Sequence, residues 1–428
     1  MSSENATMFE ARAFATHPFL ESRDFRVLFT GDVLVTVAER YFVLTFSWWL
    51  LTGPAAGPSR LGLLLALESL PVLAVGVLIG PMLDRWNRKW SMLGSALLQF
   101  VVVAGVATLL VANRLTFPLL CVAGMLLGCL TPVFEGAANA AVSQAVRENH
   151  LAAAAAMQSS TLEFSNIIAA TLSATLLSGF GFKIAVVVSA VLYLTGGLFL
   201  LRLRSVAFTG NEGNHSYTSE LKAGLAYVTD RPALASFVGV YVVKLLITAS
   251  LLIFIPMLVK SVLDGAVHWV AILETLFSLG AILTAVVLSL NATDNRLYQR
   301  YAWTLALLGG LMMLLATTPS PLALALNVTL MGACVAWLLA SSNILFHRSV
   351  PDGMKGRFFG ILDTLAAAAM PLGYAIVGVV SGIAKVQGVL IVDGIGLVLL
   401  AVLVAFIPRV AIRPLETVAS LSLPGGRL

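Results

Sequence analysis

Charged residues and cysteine are both scarce in this sequence. Asp, Glu, Lys and Arg make up 11% of its 428 residues, against about 25% in soluble proteins. Apolar types reach 59%, so the composition excludes an ordinary soluble domain. The three cysteines, Cys121, Cys129 and Cys334, all lie inside apolar runs. That placement excludes a disulfide framework and predicts free, buried thiols.

Several chemical motifs are also missing. Outside the apolar runs there is no nucleotide-binding loop, no His/Cys cluster at metal-ligand spacing and no nucleophile motif. The formal charge of +5 is carried by loops between apolar runs, which does not indicate nucleic-acid binding. The first 24 residues lack the basic start and apolar core of a signal peptide. We therefore expect no enzyme activity, no cofactor, no metal ion and no nucleic-acid partner, and a first span that itself directs insertion.

Apolar segments of membrane length fill most of the chain. About 20 such residues, at 1.5 Å each, span the ~30 Å hydrocarbon layer of a bilayer. The predicted spans are 26–51, 60–83, 90–112, 116–142, 152–179, 183–201, 233–259, 266–290, 301–318, 321–346, 358–383 and 388–408. The sequence thus predicts an all-α, multi-pass membrane protein with twelve transmembrane helices.

Lys and Arg are distributed unevenly between the two sets of loops. One set holds only Arg60, Arg114, Lys183, Lys260 and Lys385, and the other set, with both termini, holds nearly all the rest. Because basic loops are retained in the cytoplasm, we expect both termini on the cytoplasmic side of the cell's inner (cytoplasmic) membrane.

The longest connection divides the chain into two halves. The predicted organisation is a cytoplasmic tail (1–25), an N-terminal six-helix bundle (26–201), a cytoplasmic linker (202–232), a C-terminal six-helix bundle (233–408) and a second tail (409–428). In the linker, Leu221, Leu225 and Val228 recur at helical spacing and predict an amphipathic helix on the cytoplasmic face.

An internal repeat supports this division. Leu67-Glu68-Ser69-Leu70 in the second span is matched 206 residues later by Leu273-Glu274-Thr275-Leu276 in the eighth. Related halves of this kind occur in secondary transporters.

The turn after the second span carries a motif that fits a known family. The run Gly80-Pro81-Met82-Leu83-Asp84-Arg85-Trp86-Asn87-Arg88-Lys89 resembles the motif between helices two and three of the major facilitator superfamily, in which many members have Gly at the position of Asn87. Residues 220–227 (ELKAGLAY) and 350–360 (VPDGMKGRFFG) resemble the branch that contains macrolide-efflux proteins and the enterobactin exporter, among the drug:proton antiporters.

This resemblance implies a fold and a gate. The fold is two pseudo-symmetric six-helix bundles, and the gate is a cytoplasmic charge network formed by Gly80, Asp84, Arg85 and Arg88. The alternative interpretation of that turn is a solvated basic loop that only sets topology.

Carboxyl groups occur inside the predicted spans, where charge is costly. Apart from Asp393 near one membrane edge, they are Asp32, Glu39, Glu68, Glu135, Glu163, Glu274 and Asp363. A charge facing lipid at mid-bilayer costs at least ~2.5 kcal/mol, so these groups should face water, a partner or each other. A buried, unpaired carboxyl group favours its neutral form and can exchange protons at physiological pH. For Glu135 and Asp363, which are shallow, solvation at the interface is the alternative.

Four further residues complete the candidate site. Arg40 could pair with Glu39 or Glu68, and Lys244 with Glu274; neutralised pairs that only steady the helices are the alternative. Trp337 and Asn343 lie inside the tenth span and are candidates for a cavity lining. An acidic cavity with aromatic rings favours cationic or amphipathic ligands.

These observations predict a proton-coupled exporter of an amphipathic or cationic small molecule, of the multidrug or antibiotic efflux type, that works by alternating access and draws on the proton motive force. We expect it to act as a monomer in the lipid bilayer. The alternatives are export of a siderophore or metallophore, a lipid or metal-ion carrier of the same fold, and a sensor that transports nothing.

Overall fold

The computed structural model describes residues 18–53, 57–83, 86–147, 150–204, 224–263, 266–290, 296–317 and 320–407. Within these ranges the chain forms helices and no strand. The helices are α1 (Pro18–Glu21), α2 (Arg23–Thr52), α3 (Pro58–Leu83), α4 (Arg88–Val111), α5 (Phe117–Ala145), α6 (Leu151–Gly179), α7 (Gly181–Leu200), α8 (Pro232–Thr248), α9 (Leu251–Val262), α10 (His268–Leu290), α11 (Leu297–Leu315), α12 (Pro321–Ser349), α13 (Asp352–Ile383) and α14 (Val386–Phe406).

The predicted all-α membrane fold is confirmed. Each predicted span coincides with a helix, except that the seventh is divided into α8 and α9 at Ala249 and Ser250. In the described ranges, nine segments are long and apolar enough to cross a membrane, one of them formed by α8 and α9 together. Helices α2, α6 and α11 are not among the nine. The count of twelve transmembrane helices therefore stays a prediction.

The seventh span is interrupted ahead of Pro256, which lies inside α9. A proline removes one backbone hydrogen bond and crowds the carbonyl group four residues earlier, here that of Leu252, so it weakens the helix next to the break without fixing its position. The Ser250 hydroxyl group donates to the Ile247 carbonyl oxygen at 2.5 Å, which satisfies one acceptor at the break.

Two compact units make up the structure. The first contains the described residues up to 204 together with 255–275, and the second contains those of 224–254 and from 276 onwards. The domain boundaries drawn from the sequence remain a prediction.

Small residues bring helices of the first unit close together. A side chain at Gly196 of α7 would lie 2.8 Å from Val35 Cγ2 of α2, so only glycine fits that crossing. Tyr41 of α2 is fully buried, and its hydroxyl group donates to the Ala185 carbonyl oxygen of α7 at 2.9 Å. Packing and a buried hydrogen bond together hold α2 against α7.

The second unit combines a glycine contact with an aromatic cluster. Gly309 of α11 and Gly394 of α14 lie against each other's backbone. The Phe237 ring lies 5.2 Å from those of Tyr301 and Phe346. These contacts join α8, α11, α12 and α14.

Two sequence predictions about local structure can be compared with the coordinates. Residues 224–229 are helical, with Val228 buried and Leu225 exposed, whereas Leu221 lies outside the described residues. The cysteine prediction is confirmed in that all three thiols are free; Cys121 and Cys334 are buried and Cys129 is partly buried.

Candidate functional site

Helix α2 carries the first charged residues of the candidate site. Asp32 is 4% exposed, and its carboxylate oxygen Oδ2 accepts a hydrogen bond from Gln158 Nε2 of α6 at 2.8 Å. Glu39 follows seven residues later, about two helical turns away. Arg40 Nη2 lies 3.9 Å from Glu39 Oε1, which matches one of the two pairings expected for Arg40.

A close helix crossing fixes the position of Glu68 in α3. At Gly128 of α5, a Cβ atom would overlap the Glu68 carbonyl oxygen and lie 2.9 Å from its carbonyl carbon. One turn earlier, a Cβ atom at Gly124 would lie 3.1 Å from Leu64 Cδ1. The spacing of these two glycines therefore lets α5 approach the backbone of Glu68 directly.

The second unit contains a comparable crossing. A Cβ atom at Gly332 of α12 would lie 2.7 Å from the Phe277 carbonyl carbon of α10, three residues after Glu274. Glu68 and Glu274, which the sequence repeat relates to each other, thus both lie at or near a glycine crossing in their own helices.

Arg40 is the electrostatic centre of the acidic side chains in the first unit. It interacts with Glu68, Glu135 and Glu274. Glu135 of α5 is exposed and interacts with Asp32 as well. We call the set Asp32, Glu39, Glu68, Glu135, Glu163 and Glu274 the carboxylate cluster.

Two members of the cluster have oxygen atoms that are buried without a hydrogen-bond partner among the described residues, Glu163 Oε2 and Glu274 Oε1. Glu274 also interacts electrostatically with Glu163. Burying a charged group in this way is unfavourable unless a cation or a proton compensates it.

The remaining predicted site residues lie in the second unit. Lys244 is 3% exposed, and its ammonium group is 4.5 Å from the centre of the Tyr241 ring. Among the described residues of its own unit it forms no ion pair. Asp363 is exposed and interacts electrostatically with Tyr241. The pairing of Lys244 with Glu274 stays a prediction.

Trp337 and Asn343, both on α12, differ in exposure. Trp337 is half-buried, and its indole Nε1 has no hydrogen-bond partner within the described ranges. Asn343 is exposed. Their roles in lining a cavity stay predictions.

The gating motif is described in part. Gly80 lies in α3, whereas Asp84 and Arg85 are outside the described residues. Arg88 Nη1 donates to the Ala140 carbonyl oxygen of α5 at 2.6 Å. Asn87 is the N-cap of α4, and its side-chain oxygen accepts from the Lys89 and Trp90 amides. Asparagine at this position therefore supplies a helix cap that glycine has no side chain to provide.

Sequence reasoning missed Thr161 and a set of charges at the end of α1. Thr161 is 4% exposed and lies beside Asp32; its spacing of three residues from Gln158 was the available signal. Glu21 contacts Arg147 at 2.6 Å and His150 at 2.8 Å. No spacing in the sequence connects these segments.

The described residues contain no group of three or more His, Cys, Asp and Glu side chains that could hold a metal ion. The candidate site is therefore a dispersed set of acidic groups around one guanidinium group.

Sequence comparison relates this chain to known transporters. Residues 14–425 match the profile of the transmembrane secretion effector family, part of the major facilitator superfamily. The uncharacterized MFS-type transporter YfiS of Bacillus subtilis is 25% identical over 349 residues, which cover 76% of this chain and 79% of that protein. Macrolide efflux protein A of Enterococcus faecalis is 21% identical over 310 residues, 71% of this chain and 95% of that protein.

Solved structures show the same fold. The nucleoside transporter NupG superposes with a TM-score of 0.72 at 15% identity, covering 90% of this chain and 98% of that one. A POT family transporter in complex with 5-aminolevulinic acid gives a TM-score of 0.73 at 12% identity, covering 92% of this chain and 97% of that one. At these identities the likeness concerns the fold alone.

Proposed function

Because this chain belongs to the transmembrane secretion effector family of the major facilitator superfamily, we propose that it exports an amphipathic or cationic small molecule across the cytoplasmic membrane in exchange for protons. The observation that supports this proposal is the carboxylate cluster, in which four acidic side chains from four helices, those of Glu39, Glu68, Glu135 and Glu274, interact with Arg40. We infer that Glu39, Glu68 and Glu274 take the main part in coupling or in recognising the charge of the substrate.

The excess of acidic over basic groups favours a cationic ligand. Six carboxyl groups belong to the cluster, and Arg40 can neutralise only part of their charge. A ligand that carries positive charge would be attracted by the carboxylates, and apolar surface on the same ligand would gain from leaving water. The relative in Enterococcus faecalis is named for macrolide efflux, and macrolides combine a large apolar surface with an amino group. We extend that substrate class to this protein as part of the proposal.

The carboxyl groups of the cluster are also suited to binding protons. Carboxyl oxygens such as Glu163 Oε2 and Glu274 Oε1, buried without hydrogen bonds among the described residues, are better accommodated when the group is neutral. A proton and a cationic substrate would then compete for the cluster, which is the requirement for exchange. One charge crossing 100 mV releases ~2.3 kcal/mol, enough for roughly forty-fold accumulation.

Arg88 is proposed to contribute to the gate. Its hydrogen bond to the Ala140 carbonyl oxygen joins the first residue of α4 to the C-terminal part of α5. Release and re-formation of such a contact is one way in which a cytoplasmic charge network could respond to alternating access.

The test is transport in proteoliposomes that contain the purified protein. The probes are ethidium, a cationic dye, and erythromycin, a macrolide, with the vesicle interior acidified to drive uptake. We expect uptake that depends on the gradient in the wild type and is reduced at least tenfold in Glu39→Gln and Glu68→Gln. Asp230→Asn, at an exposed position outside the cluster, is the control and should transport normally.

The outcomes separate the parts of the proposal. Uptake that ignores the proton gradient would contradict coupling to protons. Gradient-driven uptake that both cluster variants retain would contradict the role of these carboxylates. Transport of a siderophore in place of both probes would instead favour the metallophore exporter.

A further inference from the structure

Three polar side chains meet where α2 and α6 pack together. Asp32 of α2 is 4% exposed, and Thr161 of α6 is buried to the same extent. Gln158, one turn before Thr161, donates from Nε2 to Asp32 Oδ2 at 2.8 Å. The Thr161 hydroxyl group lies beside the same carboxyl group. These three side chains therefore converge on one buried point.

Two oxygen atoms beside Asp32, Gln158 Oε1 and Thr161 Oγ1, have no hydrogen bond of ordinary geometry to any described residue. Both atoms are inaccessible to solvent. Buried polar atoms are nearly always satisfied by protein, water or an ion. Two unsatisfied acceptors beside a carboxylate indicate that a ligand is expected there.

The surrounding charges point to a cation. Asp32 interacts electrostatically with Glu39 on its own helix and with Glu135 on α5. The groups that α6 presents to it, Gln158 and Thr161, are neutral. The site thus combines a carboxylate with an amide oxygen and a hydroxyl oxygen. Oxygen atoms of these kinds are the ligands that hard cations prefer.

We propose that Asp32, Gln158 and Thr161 form a binding site for a sodium ion. One carboxylate in direct contact matches a monovalent ion, and no third acidic group is near enough in the described ranges to suit a divalent one. A half-turn of the Gln158 amide about its Cγ–Cδ bond would exchange Nε2 for Oε1 at the Asp32 side. The ion would then be held by the carboxylate, the amide oxygen and the hydroxyl oxygen.

If the proposed export is correct, the site makes sodium an alternative coupling ion; the binding itself does not depend on that function.

The test is the thermal unfolding midpoint of the purified protein in detergent at constant ionic strength. Choline chloride is replaced stepwise by sodium chloride, with potassium chloride in parallel, at pH 8. A bound ion stabilises the folded state in proportion to the logarithm of its concentration above Kd. We expect a saturable rise with sodium and little or no rise with potassium.

Variants connect the effect to the site. Asp32→Asn and Thr161→Val should weaken the apparent affinity for sodium at least tenfold. Thr171→Val is the matched control, since Thr171 is an exposed threonine of the same helix whose hydroxyl group donates to its own helix, to the Ile167 carbonyl oxygen, at 2.8 Å. It should keep the wild-type response.

Three results would overturn the proposal. The first is a midpoint that rises no more in sodium than in choline at pH 8, and the second is a sodium effect that Asp32→Asn retains. If the variants do not fold, binding of radioactive ²²Na⁺ to the wild type, displaced by unlabelled sodium, decides the question, and absence of displaceable binding is the third. Ethidium uptake measured on the same preparation shows whether the proposed export fails separately.

Discussion

Replacing Gly128 with alanine should displace the helix that carries Glu68. The added Cβ atom would overlap the Glu68 carbonyl oxygen and lie 2.9 Å from its carbonyl carbon, closer than the 3.0 Å below which Cβ contacts essentially do not occur. Both opposing atoms belong to the backbone, so no side-chain rotation can relieve the overlap. Helices α3 and α5 must therefore separate at this crossing.

The cost can be worked from the two effects that compete. Overpacking of this kind costs about 1–3 kcal/mol, and a rigid backbone neighbour places the cost near about 3 kcal/mol. Alanine regains up to about 1 kcal/mol through its higher helix propensity. The net loss of about 2 kcal/mol corresponds to a roughly thirty-fold fall in the ratio of folded to unfolded protein.

A matched control separates packing from propensity. Gly105 of α4 has nothing within 4 Å of the position a Cβ atom would take. Gly105→Ala should therefore stabilise the protein by about 0.5–1 kcal/mol. Both variants gain the same helix propensity. The difference of about 3 kcal/mol between their free energies of unfolding therefore measures the cost of the overlap at the crossing of α3 and α5.

The protein supplies its own reporter for the measurement. Cys121 and Cys334 are free and buried, so a thiol-reactive fluorophore reports their exposure as the purified protein is heated. Gly128→Ala should unfold at a lower temperature than wild type and Gly105→Ala at a slightly higher one. Equal midpoints for Gly128→Ala and wild type would refute the close approach of α5 to Glu68.

Two further variants test single contacts by the same assay. Tyr41→Phe removes the buried hydrogen bond to the Ala185 carbonyl oxygen and should cost about 1 kcal/mol; an unchanged midpoint would show that the bond contributes nothing. Asn87→Ala removes the cap of α4 and should cost about 1 kcal/mol, whereas Asn87→Gly should cost only a few tenths. Equal losses in the two Asn87 variants would contradict the capping role.

The arrangement of helices along the chain was predictable because membrane spans follow from length and apolar composition, which are local properties of the sequence. The correspondence between Glu68 and Glu274 was also visible in the sequence, as a short repeated pattern. The break after Ala249 was not predicted, although the sequence shows Pro256 nearby. The position at which a helix is interrupted depends on the residues that pack against it. A span read only from hydropathy cannot show such a break.

The electrostatic arrangement of the site was harder to predict. The presence of carboxyl groups in the spans was evident, but the contact of Asp32 with Gln158 and Thr161 depends on the rotation of α6 about its axis, which composition does not fix. The approach of Glu21 to Arg147 and His150 joins residues more than 120 positions apart. Only the folded chain brings them together.

The two hydrogen bonds of Ser22 have a consequence for local unfolding. Ser22 is the N-cap of α2, where its oxygen accepts from the Phe25 amide at 3.1 Å, and its hydroxyl group also donates to the Ala145 carbonyl oxygen at the end of α5 at 2.5 Å. One hydroxyl group therefore forms hydrogen bonds with the first turn of α2 and with the last turn of α5, which are distant in sequence. Fraying of either end removes a partner from the other, so in hydrogen–deuterium exchange the first turn of α2 and the last turn of α5 should open as one cooperative unit.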